Sequence, residues 1–250
     1  MKSLSNTGFA LFGAMLIAIS YGLARFAFGL FVPPIRAELG LTPEVIGIIG
    51  ALPLISFLLA TLVAPLCADR LGARNTAVLS CGFGVVGLAL ISQASDALSL
   101  GVGVFACGIC TGLMMPALTA AMQAMVNRAV HGRVSSVMNA GTSIGVAVAV
   151  PVVLFLSGAW RSAYLSFAIL AGIGVVAVWY FIPSVSRIIP ANSAPPTPIS
   201  TQQWSRLFGL SLFAFVTGFV VSEFGYTHAY STFSTIGILV AVLLPRCRKQ

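Results

Sequence analysis

Charge is what this chain has least of. Asp, Glu, Lys and Arg make up only 7% of its 250 residues, where a soluble globular domain carries roughly a quarter. There are 5 acids and 2 histidines. His131 and His228 have no plausible nucleophile or second ligand beside them, which argues against a hydrolase or a metal site. Cys107-x-x-Cys110 has redox and metal spacing, but both cysteines fall inside an apolar run, and Cys67, Cys81 and Cys247 bring no companion ligands. Buried apolar thiols are the expectation. Gly82, Gly84 and Gly87 match a dinucleotide-binding pattern literally, yet no strand precedes them and no acid follows, so they read as helix packing through small residues. No enzyme activity, cofactor or metal is expected.

Long apolar runs fill the space. Hydrophobic residues make up 58% of the chain and the mean hydropathy is +1.04, so the solvent is a bilayer. Eight runs can be read: Phe9–Val32, Val45–Pro65, Thr76–Ser92, Leu98–Met122, Val134–Leu156, Ala163–Ile182, Leu207–Gly225 and Ser231–Leu244. A spanning helix needs about 20 residues, which the first seven approach or exceed and the eighth does not. Pro33-Pro34 is expected to close the first run. Thr42-Pro43-Glu44 opens the second with a capping hydroxyl, a proline at the first helical position and an acid in the first turn. The first run is too long for a signal-peptide core and has no small-residue cleavage site, so it is expected to stay.

A net charge of +8 would suggest nucleic acid in a soluble protein. Here the bases stand singly between apolar runs, which makes them topology signals and excludes a nucleic-acid partner. With the N-terminus inside, the inner side holds Lys2, Arg70, Arg74, Arg128, Arg133, Arg187, Arg206, Arg246, Arg248 and Lys249, and the outer side only Arg36 and Arg161. The bias predicts both termini in the cytoplasm.

The chain divides at a Pro/Ser-rich segment, Pro190–Gln203, whose composition reads as a flexible linker. Shifted by 196 residues, Leu11, Phe12, Gly13, Leu16, Ala18, Gly22, Phe28 and Gly29 fall on Leu207, Phe208, Gly209, Leu212, Ala214, Gly218, Phe224 and Gly225. Helix seven is thus a second copy of helix one, as in carriers built from parallel repeats. The expected organisation is an all-α membrane bundle. It comprises a six-helix unit over 1–186, a linker over 187–205, and the start of a second unit over 206–250 with one or two helices.

One short polar turn separates the second and third runs: Asp69-Arg70-Leu71-Gly72-Ala73-Arg74. It resembles the loop between helices two and three of the major facilitator superfamily of secondary transporters, whose pattern is Gly-x-x-x-Asp-Arg-x-Gly-Arg-Arg/Lys. Asp69, Arg70, Gly72 and Arg74 match, Pro65 replaces the first glycine and Ala73 one base. The resemblance, with the helix count, linker and repeat, covers about residues 8–225. Helix four has Gly108 where the family often has arginine, and helix five carries Gly141-x-x-x-Gly145 followed by Val146 instead of the proline of the antiporter signature. Tyr21–Gly29 is similar to helix one of bacterial members.

Two ionisable residues lie deep inside runs, and each costs several kcal/mol unless paired or hydrated. Arg25 is sixteen residues into run one, about 24 Å along the helix, and Glu223 is at nearly the same depth in run seven. The resemblance implies that helices one and seven face each other across a central cavity. Arg25 is then expected to pair with Glu223, or to hold an anionic solute while Glu223 carries a proton. The alternative is that Arg25 snorkels to headgroups and Glu223 merely ends its helix. Tyr21, Thr111, Gln123 and Asn139 are expected to line the same cavity. Asp69, Arg70, Gly72 and Arg74 are the expected conformational hinge. Asp69 should open helix three, with Arg70 and Arg74 meeting headgroups or the Asn127–Arg133 loop. Gly108, Gly112, Gly141 and Gly145 are expected to pack helices. Met114, Met115, Met122 and Met125 read as ordinary packing, the alternative being a pliable cavity wall. Helices three and six, poor in polar groups, are expected outermost, and helix seven beside helix one. The implied function is a secondary carrier of a small solute in the inner (plasma) membrane, working by alternating access. The rival expectation is a truncated membrane fragment that inserts without transporting, or a regulatory subunit of such a carrier, because helices nine to twelve of the family pattern are missing from it.

Overall fold

Helix is the one way a chain this apolar can satisfy its backbone inside a bilayer without closing a barrel. The computed structural model describes residues 5–183, and every regular element among them is helical. Helix α1 is Asn6–Leu39, α4 Ala97–Met125, α5 His131–Leu156 and α6 Trp160–Phe181. Between α1 and α4 lies Pro43–Ser92, two helices broken at Gly72 (φ 80°, ψ 162°); α2 is 43–71 and α3 is 73–92. Only glycine adopts that backbone without strain. Each helical run is long and apolar enough to cross a membrane. The linker, the second copy of helix one, Ser231–Leu244 and Glu223 lie outside the described residues.

Local chemistry sets the ends, with one departure from the sequence reading. Pro33 and Pro34 do not close α1. The helix runs through both and stops at Gly40, left-handed at φ 63°. Prolines are tolerated in membrane helices where the freed carbonyls find other partners. At the start of α2 the Thr42 side chain accepts from Val45 N, with Pro43 following the cap. Asp96 caps α4 by accepting from Ser99 N at 2.7 Å, and Ser99 Oγ returns the bond by accepting from Asp96 N. That N–H holds the Asp96 carboxyl below its usual range.

Between helices in lipid there is little hydrophobic drive, so close approach through small residues does the packing. Helices α1 and α5 run parallel. A Cβ on Gly141 would collide with the Ala14 carbonyl oxygen, and one on Gly145 with the Ala18 carbonyl and, at 2.8 Å, Gly22 Cα. Helices α2 and α4 also run parallel. A Cβ on Gly108 would strike Ser56 Oγ and, at 2.6 Å, the Pro53 carbonyl; one on Gly112 would meet Ala60 Cβ at 2.6 Å. Helix α3 runs antiparallel to α4, and here the two discounted motifs prove to be one contact. Cys107 and Cys110 seat their sulfurs over Gly87 and Gly84 in turn, 2.7 and 3.0 Å from where a Cβ would be. Ser80 Oγ donates to the Cys110 carbonyl at 2.6 Å beside them.

Helix α4 is thus the most enclosed helix, and α3 is not outermost. It lies between α4 and α6, where Gly84 faces both Cys110 and Ala171. Helix α6 buries one stripe, including Tyr164, Phe167, Ala171 and Val178, and exposes the opposite one. The widest exposed apolar faces belong to α2 (Leu54, Leu58, Leu62, Leu66) and α5 (Ile144, Val148, Leu154). The bundle has two main apolar clusters. One joins Phe28, Phe31, Ile91, Leu100, Trp160 and Tyr164; the other, nearer the N-terminus of α1, joins Phe9, Ile17, Ala77, Met114, Leu118, Met138 and Val178.

The ends of the bundle differ in charge. Arg70, Arg74, Arg128 and Arg133 with Asp69 lie at one end; Arg36 and Arg161 with Glu38, Glu44 and Asp96 lie at the other. At the acidic end Glu38 accepts from Arg161 through one oxygen and from Trp160 Nε1 through the other, and Arg161 also donates to the Ala94 carbonyl. This clasp ties the ends of α1, α3 and α6 together.

The glycine contacts make opposite predictions for equal substitutions. Gly145→Ala should destabilise the purified protein by about 1–3 kcal/mol, the usual cost of overpacking. Gly82→Ala, where a Cβ meets nothing within 4 Å, should be neutral or stabilise by up to about 1 kcal/mol. Thermal unfolding in detergent measures both, and equal losses would defeat the close-approach account.

Candidate solute site

The backbone of α1 changes character where Arg25 sits, midway along the helix. Residues Ala18–Phe26 form a π-helical segment, nine residues long, with Ala27 N–H bonded to the Gly22 carbonyl. Such segments are rare, are usually single turns, and recur at functional sites. Gly22, at its centre, lies against Gly145 of α5 so closely that a Cβ would meet the Val146 nitrogen at 3.0 Å. Ser20, fully buried, donates its hydroxyl to the Ile17 carbonyl at the segment's entrance.

Tyr21 and Arg25 project from this segment towards α2, and both are half-buried. The Arg25 guanidinium carbon lies 4.6 Å from the Phe57 ring centroid and 5.5 Å from that of Phe26. Tyr21 meets the same Phe57 ring edge-on at 6.4 Å. No carboxylate pairs with Arg25 among the described residues, where the ion pair found is Arg161–Glu38. Stacking on a half-buried ring offsets part of the cation's cost, on the order of 0.5–2 kcal/mol, but it offers no acceptor to the guanidinium's N–H donors. Phe57 escaped the sequence reading, because an aromatic in an apolar run carries no signal until its neighbour across the helix pair is known.

Of the remaining expected lining residues, Gln123 and Asn139 do not converge on this spot. Thr111 shares its level, but its buried hydroxyl donates back to the carbonyls of Cys107 and Gly108, both at 2.9 Å. Gln123 lies eleven residues beyond Gly112 and is exposed, so it sits roughly 16 Å nearer the basic end. Asn139 precedes Gly141, which packs at Ala14, so it too sits well towards the basic end; exposed, it donates to the Ser135 carbonyl at 2.9 Å. An apolar groove of 510 Å³ between α2 and α4, lined by Val45, Ile49, Leu52, Gly101 and Phe105 among others, includes none of these residues. Its lining suits lipid chains.

The turn between α2 and α3 also differs from expectation. Asp69 does not open α3. It is exposed in the last turn of α2, because the helix continues to the one residue that can break it, Gly72. Arg70 is exposed, whereas Arg74 turns to α6, its guanidinium carbon 3.8 Å from the Trp179 ring centroid. Around Gly72, Asn75 Nδ2 donates to the Leu71 carbonyl at 3.0 Å and Thr76 Oγ1 to the Gly72 carbonyl at 2.9 Å. The Asn127–Arg133 turn closes on itself: Asn127 Oδ1 accepts from Ala129 N at 3.0 Å, and His131 Nε2 meets the Val126 carbonyl at 3.0 Å.

Comparison with known proteins carries the reading further. A transporter of Bacillus subtilis (strain 168), the uncharacterized YycB, is 25% identical over 241 residues, which cover 92% of this chain and 59% of that one. Two solved POT family transporters share the fold at 18% identity. One, with a thioalcohol-conjugated peptide, matches with a TM-score of 0.60; the other, with 5-aminolevulinic acid, matches with 0.58. Each alignment covers 96% of this chain and 51% of the solved one, so the chain spans just over half the length of these relatives. The family model described as Major Facilitator Superfamily matches residues 14–246. With that match, and an all-helical bundle whose described residues include five helical runs long and apolar enough to cross a membrane, the chain is a multi-pass membrane protein and belongs to the Major Facilitator Superfamily.

Proposed function

We propose that the chain works in a secondary carrier, moving a small anionic solute by alternating access, with Arg25 as the solute's anchor. One observation carries this reading: a half-buried arginine midway along α1, its guanidinium beside the Phe57 and Phe26 rings, with no carboxylate partner among the described residues. A cation there costs several kcal/mol unless something pays it back, and an anionic group with bidentate geometry is what a guanidinium fork fits best. The π-helical backbone beneath Tyr21 and Arg25 supports the same reading, since it re-aims side chains without breaking the helix. Glu223 is the proposed proton carrier or counter-ion. The solved relatives make peptides and small amino acids such as 5-aminolevulinic acid the first compounds to try.

The test is a thermal-shift screen of small carboxylates on the purified protein, repeated on two variants. Arg25→Ala should weaken binding of any anionic hit about tenfold to a hundredfold, the range for a lost charge-assisted bond, while leaving the protein folded. Arg25→Lys should recover only part, because lysine lacks the planar fork. Unchanged binding in Arg25→Ala would reduce this arginine to a headgroup anchor.

We also infer that the basic end faces the cytoplasm and that the Asp69–Arg74 turn acts in the carrier's rocking. The excess of bases at that end supports the orientation. Cysteine-accessibility labelling should find a cysteine placed at Asn75 reactive only from the cytoplasmic side. Asp69→Asn should slow any measured transport without preventing insertion; unchanged transport and stability would end the turn's assigned role.

A further inference from the structure

Two arginine–tryptophan stacks occupy opposite ends of the bundle, and they differ in one respect. At the acidic end Arg161 lies 4.2 Å from the Trp160 ring centroid. Glu38 takes a guanidinium N–H with one carboxylate oxygen and the indole N–H with the other. At the basic end Arg74 stacks more closely on Trp179, at 3.8 Å. There no carboxylate pairs with it among the described residues, and its Nε is buried without a hydrogen-bond partner. We propose that Arg74 and Trp179 form a phosphate site for a membrane phospholipid at the basic end of the bundle, the phosphate standing where Glu38 stands at the other.

Three observations favour a lipid over an internal acid. Trp179 and Tyr180 are exposed, 58% and 54%, at the last turn of α6, the depth at which aromatic side chains meet headgroups. Behind them Val176, Ile173 and Ile169 form an exposed apolar stripe, at 69%, 57% and 59%; their i, i+4, i+7 spacing lays it along one face of α6, where acyl chains would run. Among the described residues the same end carries Arg70, Arg128 and Arg133 against Asp69 alone, so a net anionic headgroup fits better than a zwitterionic one. Stacking keeps the guanidinium plane fixed, which sets Arg74 apart from Arg70, exposed in the preceding turn with no ring beneath it among the described residues. A phosphate gains from a pre-positioned fork what a mobile side chain would lose in ordering. The site concerns lipid and is independent of the solute site around Arg25.

The experiment is lipid titration of the full chain, delipidated in mild detergent and read by native mass spectrometry. The probes are phosphatidylglycerol, phosphatidylcholine and inorganic phosphate. Phosphatidylglycerol should bind in preference to phosphatidylcholine, and inorganic phosphate at millimolar concentration should not displace it. Arg74→Gln should weaken phosphatidylglycerol binding roughly fivefold, the factor implied by one base near an anionic surface. Trp179→Leu, which keeps the charge and removes the stack, should also weaken it, and Arg70→Gln should weaken it less than either. Unchanged binding in folded Arg74→Gln would overturn the proposal. Should that variant not fold, unchanged binding in Trp179→Leu does the same. Displacement by inorganic phosphate would overturn the lipid assignment, and a loss in Arg70→Gln equal to that in Arg74→Gln would reduce the site to general surface charge.

Discussion

In lipid, apolar side chains gain little by leaving their solvent, so helices hold together by how closely their backbones can approach. In this bundle the approach is set at a few places where a Cβ cannot fit. Gly141 and Gly145 bring α5 onto α1, Gly108 and Gly112 bring α4 onto α2, and Gly84 and Gly87 receive the Cys110 and Cys107 thiols of α4. Because α4 meets both α2 and α3 through such contacts, it becomes the enclosed helix. The arrangement follows from side-chain size more than from hydropathy, since α4 and α5 are equally apolar and yet differ widely in burial.

The same contacts position the candidate solute site. Gly22 lies in the middle of the π-helical segment and touches Gly145. The stretch of α1 with unusual backbone is therefore clamped against α5 while Tyr21 and Arg25 reach across to Phe57 of α2. A rigid backbone contact on one side and an aromatic platform on the other fix a charge that lipid would otherwise expel. The neighbouring hydroxyl of Thr111 is spent on its own helix, which leaves the guanidinium as the strongest unfilled donor at that depth among the described residues.

Charge is used sparingly, and each arginine of known surroundings has a distinct solution to being near or in a membrane. Arg161 takes a carboxylate and a carbonyl. Arg36 folds back so that its Nε donates to the Leu41 carbonyl at 3.1 Å, beside the left-handed Gly40. Arg74 and Arg25 rest on aromatic rings. Among the described residues, the two that rest on rings without a protein acid are the two for which external anions are proposed.

Composition and local spacing determined a great deal. Apolar runs of bilayer length dictated helices, Thr42 and Pro43 marked the start of α2, and the order Asp69-Arg70-x-Gly72-x-Arg74 pointed to the family. These depend on neighbours in the chain, and neighbours are what a sequence displays. Tertiary structure decided the rest, because it turns on which faces meet. Pro33 and Pro34 stay within α1, Asp69 ends α2 instead of starting α3, and α3 is covered by α6. Gln123 and Asn139 drift from Arg25 because depth depends on how parallel helices register, which Gly112 and Gly141 set through contact with Ala60 and Ala14. Phe57 and Trp179 became meaningful only once helix packing brought them to Arg25 and Arg74. An aromatic ring is one apolar residue among many until a cation from another helix, or another turn of the fold, is laid on its face.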